Sequence, residues 1–456
     1  MRAVHNPNWC FKELVTIVNI SQKGLFMEPA KDHQDDISIT HPRFGDLTHP
    51  KAVTFFDPSE KQFRPFCEKS LAYIHLSVTG RCNARCKGCI NSTISNSFTD
   101  NRRVAAPIRD TVPPRDAACI LHLLEKTDKE EAVICFYGGE PLLAMEKIMQ
   151  VKEIIDHACC PVPVRYMLYT NGSLLDNAVR SHPGLLKDLW LTSISIDGRR
   201  DQHEAVRPGT NLERIHQGLA GLRKIATGRT LMWSTLRENQ SLADCFAEFL
   251  DLHEQNMMDL FFWHWVETAQ PYERFADYCA RYEVDLEMVM VYYLARLREG
   301  HILPVIHINE LIIFALTGLR RNSSGCGVEV ADNFDLIDGK IHSCADLPPE
   351  MAIGHIDPQG RPHIHPHNLI SLVAYKKPLG CYQCGVHDYC GGRCPVQAHI
   401  SGMDRLRQYC QLMRLHVGIV LSYLDEIRES MAAHGLTAQN LYDEAAFYAQ
   451  FTDVTP

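Results

Sequence analysis

The stretch from Leu71 to Cys89, LAYIHLSVTGRCNARCKGC, decides the fold. It begins with an apolar run that is typical of a buried strand and that ends at Thr79. A loop follows at once, and it carries cysteines in the spacing C-x3-C-x2-C. Three thiolates cannot complete a tetrahedral zinc site without a fourth ligand. They can hold three irons of a [4Fe–4S] cube and leave the fourth iron open to a ligand with an amine and a carboxylate. The three cysteines are Cys82, Cys86 and Cys89.

Beyond this loop, strand-type and helix-type patterns alternate as far as Val266. Such alternation predicts βα units and a parallel sheet. Together with 71–78, six strands are expected, and parallel α/β folds place their chemistry at the carboxyl ends of the strands. The further strand-type runs are 132–137, 164–169, 191–196, 231–235 and 260–266, and the helical runs are 113–124, 142–157, 174–189, 212–225 and 242–253.

Polar residues mark several of these strand ends. Gly138, Gly139 and Glu140 end the second strand, where glycine permits close backbone approach and a carboxylate can accept charge-assisted hydrogen bonds. An ordinary strand–helix turn uses the same residue types, and capping of turns by Asn, Asp and Ser explains the other strand ends equally well. These other candidate site residues are Asn171, Ser195, Asp197 and, further along, Arg207.

A second set of cysteines lies in the last third of the chain. Residues 320–400 are rich in Gly, Pro, Cys and His and contain only short apolar segments, so metal clusters are expected to stabilise them. A zinc ribbon would need two C-x2-C knuckles, and this region has one. The cysteines are Cys326, Cys344, Cys381, Cys384, Cys390, Cys394 and Cys410, and Gly339 stands five residues before Cys344.

These motifs resemble those of radical S-adenosylmethionine (SAM) enzymes. The resemblance implies a partial (β/α)6 TIM-like barrel, whose first cluster binds SAM through its open iron and cleaves it to a 5′-deoxyadenosyl radical. It also implies that Gly138, Gly139, Glu140, Asn171, Ser195, Asp197 and Arg207 contact SAM, with Glu140 receiving its amine. One departure is Gly88, since the family often has an aromatic residue just before the third cysteine.

The C-terminal cysteines resemble those of a SPASM domain, which carries two auxiliary iron–sulfur clusters, expected to be [4Fe–4S]. By this resemblance the outer cluster is held by Cys381, Cys384, Cys390 and Cys410, and the inner cluster by Cys326, Cys344 and Cys394. The inner cluster lacks an obvious fourth cysteine. Either another residue supplies that ligand or one iron is open to the substrate, and the candidate ligands are His342, Asp346 and the distant Cys279.

Composition and charge limit the classes of partner and the cellular compartment that we expect for this protein. The chain has 456 residues and a formal charge of −9, which argues against a nucleic-acid binder that relies on overall basic charge. No apolar run approaches the ~20 residues of a membrane helix, and residues 1–10 have no apolar signal-peptide segment. We therefore expect a cytoplasmic protein with no membrane or nucleic-acid partner. Eighteen cysteines in a reducing compartment favour metal ligands over disulfides.

The resemblance implies an oxidoreductase that modifies or cross-links a side chain of a ribosomal precursor peptide or protein, and that receives electrons from a flavodoxin- or ferredoxin-type donor. A sulfatase-type maturase that forms formylglycine is the alternative enzyme. In such maturases an Asp follows the cysteine that matches Cys344, whereas here Ala345 follows and Asp346 comes one place later. The alternative outside the enzymes is a non-catalytic iron–sulfur protein that serves as an electron carrier or scaffold.

We expect the chain to be divided into three regions. The sequence does not identify a catalytic residue. Residues 1–70 form an accessory region that could recognise the peptide, 71–300 the barrel, and 301–456 the SPASM region with a closing helix.

Overall fold

The computed structural model describes residues 39–51, 71–91, 109–321, 323–329, 333–450 and 456. Most of the expected N-terminal accessory region therefore lies outside the described residues, as do Cys10 and Cys67. Within 39–51, two short strands pair antiparallel: β1 (Thr40–His41) and β2 (Gly45–Asp46).

The six predicted barrel strands are present. They pair in parallel and in chain order, from β3 to β8. Their bounds are β3 (Leu71–Thr79), β4 (Glu131–Gly138), β5 (Val164–Thr170), β6 (Leu191–Ser195), β7 (Arg229–Leu236) and β8 (Leu260–Trp265).

Helices connect these strands and continue beyond them. The helices of the barrel half are α1 (Pro113–Leu124), α2 (Met145–His157), α3 (Leu175–Ser181), α4 (Pro183–Lys187), α5 (Arg200–Val206), α6 (Leu212–Leu222), α7 (Leu242–Glu254) and α8 (Phe275–Arg298). The later helices are α9 (Ile306–Thr317), α10 (His387–Cys390), α11 (Pro395–Ile400), α12 (Met403–Leu421), α13 (Leu424–Ala433) and α14 (Ala438–Glu444).

Two predicted helices are interrupted. The run 174–189 breaks at His182, because Pro183 lacks an amide donor and restricts the residue before it. The expected closing helix over 403–433 is divided into α12 and α13 at Ser422 and Tyr423. The apolar helix α9 was not foreseen; it is buried on all sides, so it lacks the amphipathic pattern that marks a surface helix.

The C-terminal region extends the barrel sheet instead of standing apart. Strand β9 (Asn333–Ile337) pairs parallel with β3, and β10 (Lys340–His342), β11 (Gly354–Ile356) and β12 (Pro362–Ile364) follow antiparallel. Within the described residues the sheet thus has ten strands, in the order β12-β11-β10-β9-β3-β4-β5-β6-β7-β8. This pairing brings the segment around Cys344 to the edge of the barrel.

The two faces of the barrel strands build two cores. On β3, Ala72, Ile74 and Leu76 pack against the helices, whereas Tyr73 faces the barrel interior, as the period of two in a strand requires. The interior core also includes Phe262 and, from the C-terminal segment, Tyr448. None of the helices in the described segments combines the length and the hydropathy that a bilayer span requires.

Candidate functional site

A cavity of about 290 Å³ opens at the carboxyl ends of the parallel strands. Its volume is near the lower end of the range for small-molecule sites. The three cysteines of the first loop line one part of it, and Cys326, Cys344 and Cys394 line another. The structure therefore brings together six of the ten predicted cluster ligands, although the two sets are more than 200 residues apart in the sequence.

Backbone contacts fix the first cysteine loop. The Arg85 amide donates to the carbonyl of Pro208 at 2.7 Å, and the Lys87 amide to that of Val206 at 2.9 Å. Gly88 has a φ of +62°, and a Cβ there would stand 2.9 Å from the Val266 side chain. An aromatic residue would be strained and crowded at this position, which explains the departure from the family's pattern.

Gly138 and Gly139 let the end of β4 touch this loop. A Cβ on Gly138 would stand 2.5 Å from the carbonyl oxygen of Thr79, and one on Gly139 would stand 2.3 Å from that of Arg81. The Gly139 amide donates to the Thr79 carbonyl at 2.8 Å. Both glycines line the cavity. Close packing against the cysteine loop therefore requires glycine at both positions, independently of any contact that they make with a ligand.

Glu140 lies behind the cavity wall. Its side chain is fully buried and accepts hydrogen bonds from the Thr170 hydroxyl and the Asn171 amide, both at 2.7 Å, and from the Leu142 amide at 3.1 Å. Burial raises the pKa of Glu140 to about 7, although these hydrogen bonds oppose the shift. The carboxylate thus ties the end of β4 to the end of β5, and its contact with SAM stays a prediction.

Asn171 and Ser195 line the cavity, as a ligand-contacting role would require. The Asn171 side chain donates to Asn83 Oδ1 at 2.8 Å and lies 3.9 Å from Cys82 Sγ. Asn171 Oδ1 also accepts from the Ser173 amide at 3.0 Å, which is the turn-capping contact considered from the sequence. The Asn171 side chain therefore caps the turn and also faces the cysteine loop, so its turn-capping role and its predicted ligand-binding role are compatible.

Asp197 is also fully buried, and it holds two arginines. Arg207 binds it through Nε and Nη2 at 2.7 and 2.9 Å, and Arg237 Nη1 binds it at 2.8 Å. Burial alone would raise the pKa of Asp197, but the two guanidinium groups hold it well below its usual range. Two cations against one anion leave a positive charge at the cavity, and Arg207 Nη1 lies 3.8 Å from Cys86 Sγ.

The wall between the two cysteine sets is aromatic. Tyr137, Tyr169 and Trp233 come from β4, β5 and β7, and each lines the cavity. His75 on β3 lies beside them, and its Nδ1 is 2.5 Å from Asp335 Oδ1 on the paired strand β9. Sequence reasoning missed this wall. The available signal was the polar His75 inside an otherwise apolar strand.

Around Cys344, one of the three candidates for a fourth ligand reaches the cavity. Asp346 lines it, and the Asp346 Oδ1 atom is buried without a hydrogen-bond partner. Burial, with Glu267 and Asp335 nearby, raises the pKa of Asp346 to about 7. His342 is buried on β10 and Cys279 on α8, and neither lines this cavity.

The remaining predicted ligands surround a second, smaller cavity. Cys394 lines both cavities, so it stands between the predicted inner and outer clusters. Arg414 Nη2 lies 3.6 Å from Cys384 Sγ, and its Nη1 donates to the Leu47 carbonyl at 2.6 Å. The cysteines that line the second cavity are Cys381, Cys384, Cys390, Cys394 and Cys410.

The donor set fits iron–sulfur clusters better than single ions. A zinc–thiolate bond of about 2.3 Å places tetrahedral sulfurs about 3.8 Å apart. In the described part of the chain, no three His, Cys, Asp or Glu side chains are grouped as ligands of one metal ion. Cysteines that line one cavity without such a grouping suit a cube, whose irons each take one thiolate.

Comparison with known proteins supports this assignment. The model of the Radical SAM superfamily matches residues 76–236. No curated protein sequence matches the chain.

Among solved structures, the fold is similar to native anSMEcpe with bound AdoMet, at 15% identity and a TM-score of 0.58, covering 78% of this chain and 99% of that one. The complex of anSMEcpe with AdoMet and the Kp18Cys peptide gives 14% identity and a TM-score of 0.57 with the same coverage. SuiB from Streptococcus suis bound to S-adenosylmethionine gives 16% identity and a TM-score of 0.42, covering 72% of each chain. The likeness to anSMEcpe extends beyond the barrel and shows the fold alone.

The predicted α/β architecture is therefore confirmed, and residues 76–236 form a radical SAM domain that is followed on its C-terminal side by a cysteine-rich region.

Proposed function

We propose that this radical SAM protein is a SPASM-type maturase that oxidises or cross-links a side chain of a ribosomal precursor peptide or protein. One observation carries the proposal: a single cavity is lined at once by the Cys82 loop and by Cys326, Cys344 and Cys394, with an aromatic wall between them. A substrate group in this cavity would be close to a radical source and to an electron acceptor. The solved complex of anSMEcpe with a peptide, which has a similar fold, supports a peptide substrate.

In this proposal the first cluster would be held by Cys82, Cys86 and Cys89, and with SAM it supplies the 5′-deoxyadenosyl radical. Gly138, Gly139, Asn171 and Ser195 line the SAM side of the cavity. The excess positive charge of Arg207 and Arg237 suits the SAM carboxylate. Glu140 and Asp197 orient these groups from behind, because their own oxygens are bonded within the protein.

The auxiliary clusters would be held as the resemblance implies, with residues 301–456 as their domain. Asp346 is the described candidate for the fourth inner ligand that reaches the cavity. Electrons would come from a flavodoxin- or ferredoxin-type donor. Any peptide-recognition role of residues 1–70 depends on residues that lie largely outside the described ones.

The formylglycine-forming alternative keeps one specific observation in its favour. Asp346 lies in the cavity, its Oδ1 has no partner, and its carboxyl group interacts with Tyr137 Oη. A carboxylate so placed could accept a proton from a substrate Cys or Ser, although it stands one residue later than in sulfatase-type maturases.

The two reactions are separated by one experiment. The anaerobically reconstituted protein is mixed with SAM, dithionite and either a candidate precursor peptide from co-expression or Cys- and Ser-containing synthetic peptides. Mass spectrometry then identifies the product. A maturase forms 5′-deoxyadenosine and modified peptide, and formylglycine appears only under the alternative. An electron carrier forms no 5′-deoxyadenosine, and that result would exclude both enzymes.

A further inference from the structure

The aromatic wall of the cavity is a continuous set of oxidisable rings. The ring centroids of Tyr137 and Tyr169 are 5.9 Å apart, and those of Tyr169 and Trp233 are 5.4 Å apart. Both pairs meet edge to face, which is a favourable aromatic geometry. The three rings border the same space as the Cys82 loop. A radical formed in this cavity therefore has phenol and indole groups within its walls.

Tyr169 has a second phenol behind it. Tyr448, in the 3-10 segment Ala446–Gln450, is completely buried inside the barrel, and its hydroxyl group forms a hydrogen bond with that of Tyr169. Its ring centroid is 6.4 Å from that of Trp233 and 5.8 Å from that of Phe262. Tyr448 thus connects the cavity wall to the interior core.

The segment that carries Tyr448 is anchored to the barrel. Arg229 Nη1 donates to the Glu444 carbonyl at 2.7 Å, and its guanidinium group lies 5.2 Å from the centre of the Phe447 ring. Trp190 also contacts Phe447, with ring centroids 5.7 Å apart. These contacts hold the phenol of Tyr448 at a fixed position beneath Tyr169.

The chemistry of a phenol suits this position. Its O–H bond is weaker than the C–H bond that a primary alkyl radical forms, so transfer of a hydrogen atom from Tyr to such a radical is downhill. Burial raises the pKa of Tyr169, as it does that of Tyr448, so both phenols keep their protons near neutral pH. A hydrogen bond donated by Tyr448 would stabilise the phenoxyl oxygen that remains on Tyr169.

We propose that Tyr169, supported by Tyr448, donates a hydrogen atom to a 5′-deoxyadenosyl radical that finds no substrate in the cavity. The step rests on the proposed function. The O–H bond of Tyr169 breaks homolytically, a C5′–H bond forms, and the products are 5′-deoxyadenosine and a neutral tyrosyl radical. One electron from the external reductant and one proton from solvent then restore the phenol. Tyr169 would thereby protect the cavity from irreversible damage.

The test uses the reconstituted holoenzyme with SAM and dithionite in D2O, without peptide. Phenolic protons exchange with solvent, so the proposal predicts deuterium at C5′ of 5′-deoxyadenosine. It also predicts a tyrosyl radical by freeze-quench EPR, whose hyperfine splitting narrows when the protein contains β-deuterated tyrosine. Both signals should fall severalfold in Tyr169→Phe. In Tyr448→Phe the radical should persist with a changed g-tensor, because Tyr169 loses its hydrogen bond with Tyr448 and keeps the one with Tyr73.

Tyr166→Phe is the matched control. Tyr166 is a buried tyrosine on the same strand, but it bonds to Asp156 at 2.6 Å and does not line the cavity. It should retain the wild-type deuterium content and EPR signal. Unchanged deuterium in Tyr169→Phe, or 5′-deoxyadenosine formation without any tyrosyl signal in the wild type, would overturn the inference alone. Absence of 5′-deoxyadenosine would instead defeat the proposed function and the inference with it.

Discussion

The barrel and the cysteine-rich region bury their residues in different ways. Strands β3 to β8 and their helices contribute most of the large apolar core. Between Ser343 and Ile400, by contrast, that core receives only Ile353, Ile356, Val386 and Tyr389 as buried residues, and a separate small cluster of Leu347, Val396 and Ile400 has Cys344 and Cys394 packed against it. The barrel and the C-terminal helix α12 therefore share one large hydrophobic core, whereas residues 343–400 bury few apolar side chains, and we expect these residues to depend on cysteine-bound clusters for their stability.

The strongest test of this difference removes the first cluster. Replacing Cys82, Cys86 and Cys89 with Ala should abolish SAM cleavage and remove about four of about twelve irons, if all three clusters are cubes. The barrel should stay folded, because the loop is external to its core. Iron analysis, 5′-deoxyadenosine assay and circular dichroism measure the three effects. Iron near four in the wild type would contradict the three-cluster assignment.

Removal of an outer ligand should instead unfold its surroundings. Cys410→Ala is expected to lower solubility and the unfolding temperature of the C-terminal region, because residues 343–400, which carry the other three outer ligands, bury few apolar side chains to compensate for a lost cluster. Cys279→Ala is the matched control, since Cys279 is a buried cysteine on α8 that lines neither cavity. Differential scanning calorimetry compares them. Equal stability of the two variants would show that Cys410 holds no stabilising cluster.

Cys344→Ala should separate radical formation from product formation. The first cluster would still cleave SAM, but modified peptide would be absent because the substrate electron has no acceptor. Quantifying 5′-deoxyadenosine and product in the same anaerobic reaction measures the separation. Full product from a soluble variant, with the inner cluster shown by Mössbauer spectroscopy to be missing, would refute the role.

Gly139→Ala should disturb the contact between β4 and the cysteine loop. A Cβ would stand 2.3 Å from the Arg81 carbonyl oxygen, and overpacking of this kind typically costs about 1–3 kcal/mol. Gly184→Ala is the control, because nothing lies within 4 Å of a Cβ at that position. We expect weaker SAM binding and faster loss of the first cluster in Gly139→Ala alone, measured by equilibrium binding and by absorbance during chelation.

Glu140→Gln should change the pH dependence of the free energy of unfolding, because Gln has nearly the shape of Glu but does not titrate. The pKa of Glu140 is about 7 when folded and near 4.5 when unfolded, so its contribution to stability is complete below pH 4.5 and lost as the pH rises through 7. The difference corresponds to about 3 kcal/mol, as an order of magnitude. Gln removes this dependence, so the free energy of unfolding should fall less between pH 5 and 7.5 in the variant.

SAM affinity tests the role of Glu140 in the same variant. A direct contact with the SAM ammonium predicts an affinity reduced about ten- to a hundredfold, as expected for a lost charge-assisted hydrogen bond. A supporting role predicts a smaller reduction together with the altered stability profile. Unchanged affinity with intact clusters would leave Glu140 as a turn residue only.

The sequence alone located the six barrel strands and pointed to the cysteines as cluster ligands, and the latter stays a prediction. The C-x3-C-x2-C loop is a local pattern, and the six strands were found because hydrophobic runs bounded by Gly, Asn and Asp are also local. The predicted helix at Pro113–Leu124 has the same bounds in the structure. Local spacing and local backbone preference are written in neighbouring residues, so they can be interpreted without knowledge of the fold.

Only the tertiary structure decided which of these groups face the cavity. Glu140 and Asp197 lie behind the cavity wall, whereas His75, Tyr169 and Trp233 line the cavity. The pairing of separate strands decides these positions. The attachment of β9 to β3 moved Cys344 to the barrel edge, and the path of the C-terminal segment placed Tyr448 beneath Tyr169. Contacts between residues hundreds of positions apart depend on how the whole chain packs, and no local pattern specifies them.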